Sequence, residues 1–320
     1  MKVTLDIDKL LREQRITASE YARIKSFAAA DTGSLALNLL LGFGVIATAG
    51  GCLALLHSAV GSVVLGAGLV FGGIMLAQQA PKAWAILSSI LLLVGSLLAA
   101  GGIVVLTRGG PTGFLAVTAL LLLVGISAGS GLLVALGTLA LAPTIGAATT
   151  YGHASYTLII EQPALTVALF SLLSWVAYRA SLGMEPGRQR LALISARTSL
   201  FLVNFGFWVG SLWGDPLGRN EDRWGMASAK AMPDWSFALV WAIALIATGV
   251  WAARENRRWV VNLVAVFGGI HFYTQFFERL GASPGTVFFA GLGAIGIALA
   301  LVRYNRNEPG PRRPSPAMAR

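Results

Sequence analysis

Charge is scarce in this chain. Only 12% of its 320 residues are Asp, Glu, Lys or Arg, against about 25% in an ordinary globular domain, so a soluble surface cannot be built from it. Cysteine is nearly absent. The one thiol, Cys52, lies inside an apolar run, which excludes an intramolecular disulfide and reads as a packed or lipid-facing side chain. The first 30 residues are polar and hold no apolar core leading to a cleavage site, so no cleaved signal peptide is expected. No glycine-rich loop followed by Lys and Ser or Thr occurs. The pairs Gly50-Gly51, Gly72-Gly73 and Gly101-Gly102 are therefore not phosphate loops, and no cofactor is implied. The net charge of +10 is not gathered on a soluble face, which argues against a nucleic-acid partner.

What the chain has instead is apolar residues, 56% of the total, in runs of around 20 that recur between polar breaks. About 20 such residues span the hydrocarbon core as a helix. Backbone groups find no water there, so spans are helices or closed barrels. A barrel would alternate residue by residue, whereas Ile86 to Leu106 is continuously apolar. The fold class is therefore all-α, a polytopic transmembrane bundle. Ten spans are predicted, at 34–56, 58–77, 83–106, 112–128, 131–149, 162–182, 194–214, 235–253, 258–277 and 284–303, with 112–149 alternatively one re-entrant unit. Of the 24 Lys and Arg, all but Arg108, Arg219, Arg223, Lys230 and Arg279 then fall on the side of the termini. Basic residues concentrate in cytoplasmic segments, which puts both ends in the cytoplasm and makes the lipid bilayer the first partner.

Three regions follow. Residues 1–30 read as a short amphipathic helical hairpin in which Thr17-Ala18-Ser19-Glu20 fits a capping box. Leu10 and Leu11 on its first helix and Tyr21 and Ile24 on its second form an apolar side, suited to a cytoplasmic protein partner, to self-association as a homo-oligomer or to the membrane surface. Residues 34–303 form the membrane domain. Residues 304–320 are a basic, proline-rich tail with no apolar face to fold around, expected to be disordered. Within the spans, Gly68 and Gly72, Gly125 and Gly129, and Gly206, Gly210 and Gly214 have the spacing that lets helix backbones approach closely, or that loosens helices around a transported ligand.

The ninth span carries polar groups on one stripe. His271, Gln275 and Glu278 follow i, i+4, i+7, with Gly268 one turn earlier. Facing lipid, they would lack hydrogen-bond partners, so the stripe should turn toward other helices or a water-filled cavity. The seventh span offers Asn204, Trp208, Ser211 and Asp215 at the same helical spacing. His57, His153 and Glu161 fall on the same outer side. Imidazoles and carboxylates can ligate a metal, and His57, His153 and Glu161 are weak candidates, although no HxxH or HExxH pair supplies two ligands locally. The same groups can carry protons in a coupled transporter. They can also simply tie helices together. No Ser, Cys or Asp is arranged as an activated nucleophile, so no catalytic residue is assigned. The leading reading is movement or sensing of a small solute or ion along a route through His271, Gln275, Glu278, Asn204 and Asp215. Its rival is a scaffold or regulatory protein that acts through residues 1–30.

Leu10-Leu11, the run Ile16-Thr17-Ala18-Ser19-Glu20-Tyr21 and the closing stretch HFYTQFFERLGASPGTVFFAGLGAIGIALAL resemble a family of bacterial inner-membrane proteins of unknown function, in which a short cytoplasmic helical hairpin precedes an array of glycine-rich spans. Gln14-Arg15 stands where that hairpin turn often carries glycine. The resemblance implies topology and a multi-pass location in a bacterial inner membrane, with no mechanism attached. In outline, ten spans with both ends inside are also similar to drug and metabolite transporters, built from two inverted five-span halves.

Overall fold

The computed structural model describes residues 10, 13–17, 19–21, 40–41, 43–48, 50–51, 58–79, 84–152, 155–215, 232–255, 257–281 and 283–306. Among the described residues, nine long or apolar helices and one strand pair follow in order. They are α1 (Ala59–Gln79), α2 (Ala85–Leu106), α3 (Pro111–Ser127), α4 (Gly131–Ala140), β1 (Ala147–Gly152), β2 (Ser155–Ile160), α5 (Pro163–Ser181), α6 (Pro186–Trp213), α7 (Asp234–Arg254), α8 (Arg258–Leu280) and α9 (Pro284–Arg306). Six of them, α1, α2 and α5 to α8, are long and apolar enough to cross a membrane. Most of the predicted span 34–56 lies outside the described residues. Many large apolar side chains point outward, Val64, Phe71, Leu123 and Ile246 among them, while Ser96, Ser181 and Ser199 are fully buried. That inversion suits a chain solvated by lipid tails, since a water-soluble monomer rarely shows such extended apolar patches.

The chain divides into two compact units, Met1–Thr144 with Ala180–Ser195, and Ile145–Arg179 with Ala196–Arg320. In the first, α1 and α2 are joined with almost no clearance. A Cβ built on Gly66 would lie 2.5 Å from both the Gly95 carbonyl oxygen and the Ala99 nitrogen, and one on Gly95 would lie 2.7 Å from the Gly66 carbonyl. One turn pair along, the Ser88 hydroxyl donates to the Gly73 carbonyl at 2.9 Å. The glycines that meet α2 are thus Gly66 and Gly73, seven apart. Gly68 and Gly72 face open space, because positions two residues from Gly66 are turned to the opposite side of the helix. Around this contact Val70, Leu92, Ala100, Val117, Leu121, Val124 and Leu133 form the apolar core.

The helix α3 ends where Gly129 takes φ +64 and the Ser130 amide reaches back to the Gly125 carbonyl at 2.8 Å. Left-handed glycine with this six-residue bond is a common helix stop. Gly125 itself packs against Val134 of α4. Arg190 donates to the Gly129 carbonyl at 2.9 Å, and Thr138 shares a hydrogen bond of 3.1 Å with Ser195, so the start of α6 closes this unit. Here the predicted span 131–149 is shortened. Its helix stops at Ala140, a 3-10 turn covers Ala142–Ile145, and a strand begins at Ala147. Pro143 removes a backbone donor and clashes with a continuing helix. The β-branched and aromatic residues that follow favour an extended chain.

In the second unit, β1 and β2 pair antiparallel from Ala147 opposite Ile160 to Gly152 opposite Ser155. Besides the isolated bridge between Asp215 and Met232, this pair is the extended structure among the described residues. Gly206 of α6 lies against Val167 and Thr166 of α5, and Gly210 lies against the Phe237 ring of α7. Gly214, the third glycine of that predicted series, takes φ +70 where α6 ends.

Near the N-terminus the predicted capping box is formed. The Thr17 amide donates to the Glu20 carboxylate at 2.9 Å and the Glu20 amide to the Thr17 hydroxyl at 3.3 Å. Gln14 takes φ +55, and the Arg15 amide bonds the Leu10 carbonyl at 2.9 Å. That is the helix-ending geometry for which glycine is preferred. Leu10 and Tyr21 are half-buried, while Leu11 and Ile24 lie outside the described residues.

Candidate functional site

The two predicted stripes meet through a residue that belongs to neither. Trp241, near the middle of α7, is 1% exposed. Its indole nitrogen donates to Asn204 Oδ1 of α6 at 2.9 Å, and Asn204 Nδ2 donates to the Leu200 carbonyl at 2.8 Å. One face of the indole lies parallel to Phe207 of α6, with centroids 6.4 Å apart. The His271 ring of α8 approaches Trp241 edge-on at 4.8 Å. About one turn farther along α8, Thr274 accepts a hydrogen bond of 3.1 Å from Trp208 Nε1. An indole buried in an apolar layer needs a partner for its N–H, and Asn204 supplies it.

Beside this joint, Trp235, Ala238, Leu239 and Ala242 of α7 and His271 and Gln275 of α8 line an open cleft of about 540 Å³. The small side chains at Ala238 and Ala242 lie four apart on one face of α7 and make the room, while Trp235 and Leu239 form its rim. His271 Nδ1 and Gln275 Nε2 are buried and make no hydrogen bond within the described structure. An unmet buried polar atom costs about 1–3 kcal/mol, and native interiors hold few of them. The two residues that carry these atoms sit one turn apart and both line the cleft. The amide nitrogen donates, and the imidazole nitrogen donates or accepts according to its tautomer. A smaller cavity of about 50 Å³ lies on the other side of Trp241, between α6, α7 and α8, where Asn204 and Thr248 are its polar lining.

The remaining candidates are placed as follows. Asp215 is 1% exposed and accepts a hydrogen bond of 2.7 Å from the Ala164 amide at the start of α5. Its own backbone pairs with Met232 through bonds of 2.9 and 3.0 Å. A carboxylate at a helix N-terminus satisfies a free amide and complements the helix dipole, so this side chain holds α5 in place and stands apart from the cleft. Glu278 is exposed at the end of α8, and Gly281 with φ +72 ends that helix just after it. Glu161 is exposed, and its amide donates to the Gly146 carbonyl at 3.3 Å. His57 and His153 lie outside the described residues. Among the described residues no group of three His, Cys, Asp or Glu side chains is placed to hold a metal ion.

Periodicity located His271, Gln275 and Asn204 but not Trp241 or the alanine pair of α7. An apolar indole and two alanines in an apolar run carry no pattern that separates a cleft wall from a lipid-facing surface. No protein-family model, curated protein or solved structure matches the chain.

Proposed function

We propose that this chain binds a small polar solute in the α7–α8 cleft and moves it across, or senses it at, a membrane. The observation that carries this reading is the open cleft lined by His271 and Gln275, two side chains that each hold a buried polar atom with no partner. A solute with hydrogen-bond acceptors, and a small apolar body to lie against Trp235, would meet both. His271 and Gln275 are the binding groups in this reading, and Asn204 acts by orienting Trp241 against the imidazole. Glu278 would mark the mouth of the route, and Asp215, just after α6, would support it by holding the start of α5. The full topology belongs to the same proposal: ten spans, both termini cytoplasmic, in a bacterial inner membrane.

The test needs no knowledge of the solute. In a Cys52→Ala background, which leaves no other thiol, Gln275→Cys should react with a membrane-impermeant maleimide added from outside. An exposed residue of the same helix within one turn of it, such as Phe272→Cys, should stay unlabelled. Silence at position 275 in a folded protein would sink the solute reading and favour a scaffold acting through residues 1–30.

A further inference from the structure

We infer that the second unit carries a docking surface for anionic phospholipid headgroups, at the end where α5 and α7 finish and α8 begins. Contacts between the helices bring its parts together. Ser174 of α5 donates to the Ala196 carbonyl of α6 at 3.0 Å, which sets Trp175 within a turn of Arg197, with Tyr178 and Arg179 one to two turns nearer the end of the helices. The Arg197 guanidinium carbon lies 4.7 Å from the centroid of the Trp259 ring, in the first turn of α8. The Tyr178 and Trp251 rings meet edge-on at 6.4 Å, which ties the end of α5 to the end of α7. Arg179 reaches back over Trp175 at 6.0 Å. Arg254 and Arg257 complete the same end, on the last turn of α7 and just before α8.

Charge and exposure identify the occupant. Arg179, Arg197, Arg254 and Arg257 are all exposed, and among the described residues none of them forms an ion pair with a carboxylate. Glu255 is the one acidic residue between Arg254 and Arg257. The indoles of Trp175 and Trp251 are also exposed, at 61% and 44%. Amphipathic rings favour the headgroup level of a bilayer, and guanidinium planes over indoles stay positioned and charged. Four unpaired guanidiniums among interfacial indoles match lipid phosphates, to which Arg binds through paired N–H groups. A soluble acidic protein would not need the exposed indoles. In the sequence, the segments at the opposite end mix Arg219, Arg223, Lys230 and Arg279 with Asp215, Glu221, Asp222, Asp234 and Glu278, so the excess of basic over acidic residues lies at this end. This surface is independent of the cleft beside His271.

The full chain, purified in mild detergent and placed in nanodiscs, tests the assignment. Phosphatidylglycerol should be retained over phosphatidylcholine in native mass spectrometry and should raise the melting temperature. The combined Arg179→Gln, Arg197→Gln, Arg254→Gln and Arg257→Gln protein should lose roughly tenfold or more of that preference, since each cation near an anionic surface contributes about a fivefold factor. Removing the tail charges, by Arg312→Gln, Arg313→Gln and Arg320→Gln, should leave most of it. The inference is overturned if wild type retains both lipids equally, a result that needs no variant to fold. It is overturned as well if the tail variant loses the preference while the four-residue variant keeps it, or if inorganic phosphate stabilises the phosphatidylcholine-embedded protein as much as phosphatidylglycerol does.

Discussion

Trp241 and Asn204 are joined by a 2.9 Å hydrogen bond from indole nitrogen to amide oxygen, and this one bond sets the position of a ring that His271 and Phe207 both touch. Three helices are registered by it. Removing one member strands the other, because an indole N–H buried at 1% exposure has no water to turn to.

Asn204→Leu should therefore destabilise the protein by about 1–3 kcal/mol. The double variant Asn204→Leu with Trp241→Phe removes donor and acceptor together and should be more stable than Asn204→Leu alone. Reversible unfolding in detergent, followed by far-ultraviolet circular dichroism, gives the comparison. Equal or worse stability in the double variant would show that the bond contributes nothing of its own.

Gly66→Ala should lower the melting temperature sharply, since its Cβ would sit 2.5 Å from backbone atoms of α2 and neither helix can yield without losing the whole contact. Gly68→Ala has open space and should be neutral or stabilising by up to about 1 kcal/mol, the helix-propensity gain of alanine over glycine. Similar behaviour of the two variants would mean that α1 packs by its other face.

For Asp215 the prediction separates support from conduction. Asp215→Asn keeps an oxygen for the Ala164 amide and should cost less than Asp215→Ala, which should cost about 0.5–2 kcal/mol as a lost helix cap. Maleimide labelling of the Gln275→Cys protein should survive in the Asn variant. Loss of labelling at normal stability would place this carboxylate on the route instead.

Ala238→Phe fills the space between α7 and α8 that two alanines leave open. It should abolish maleimide labelling of Gln275→Cys while helix content stays unchanged. Ala244→Phe, which enlarges the lining of the 50 Å³ cavity on the other side of Trp241, should leave labelling intact and lower stability by about 1–3 kcal/mol through overpacking.

Composition made the helical membrane class readable, because so few charges cannot clothe a water-facing surface. Local chemistry was readable too: the Thr17–Glu20 capping box forms, and Gln14 adopts the left-handed conformation that favours glycine. Helical spacing placed His271 and Gln275 on a stripe that turns toward Trp241 and the cleft wall. What periodicity could not choose was between overlapping glycine patterns. Gly68 and Gly72 match the short spacing, yet Gly66 and Gly73 make the contact, and only the partner helix decides which face is used. The strand pair after Pro143 was hidden for a related reason, since apolar residues there serve a strand as well as a span. Asp215 carried no sign of its cap, because Ala164 lies 51 positions away in the chain.

The Gly66–Gly95 crossing has a mechanical corollary. With backbone meeting backbone and the Ser88 hydroxyl latched to Gly73, a slip by one residue would drive a methyl or larger group into the opposing main chain. The first two long helices must travel together as a stiff lever. Any rearrangement of this unit must find its pivots at the helix ends, such as the left-handed pair Arg108 and Gly109 that terminates α2.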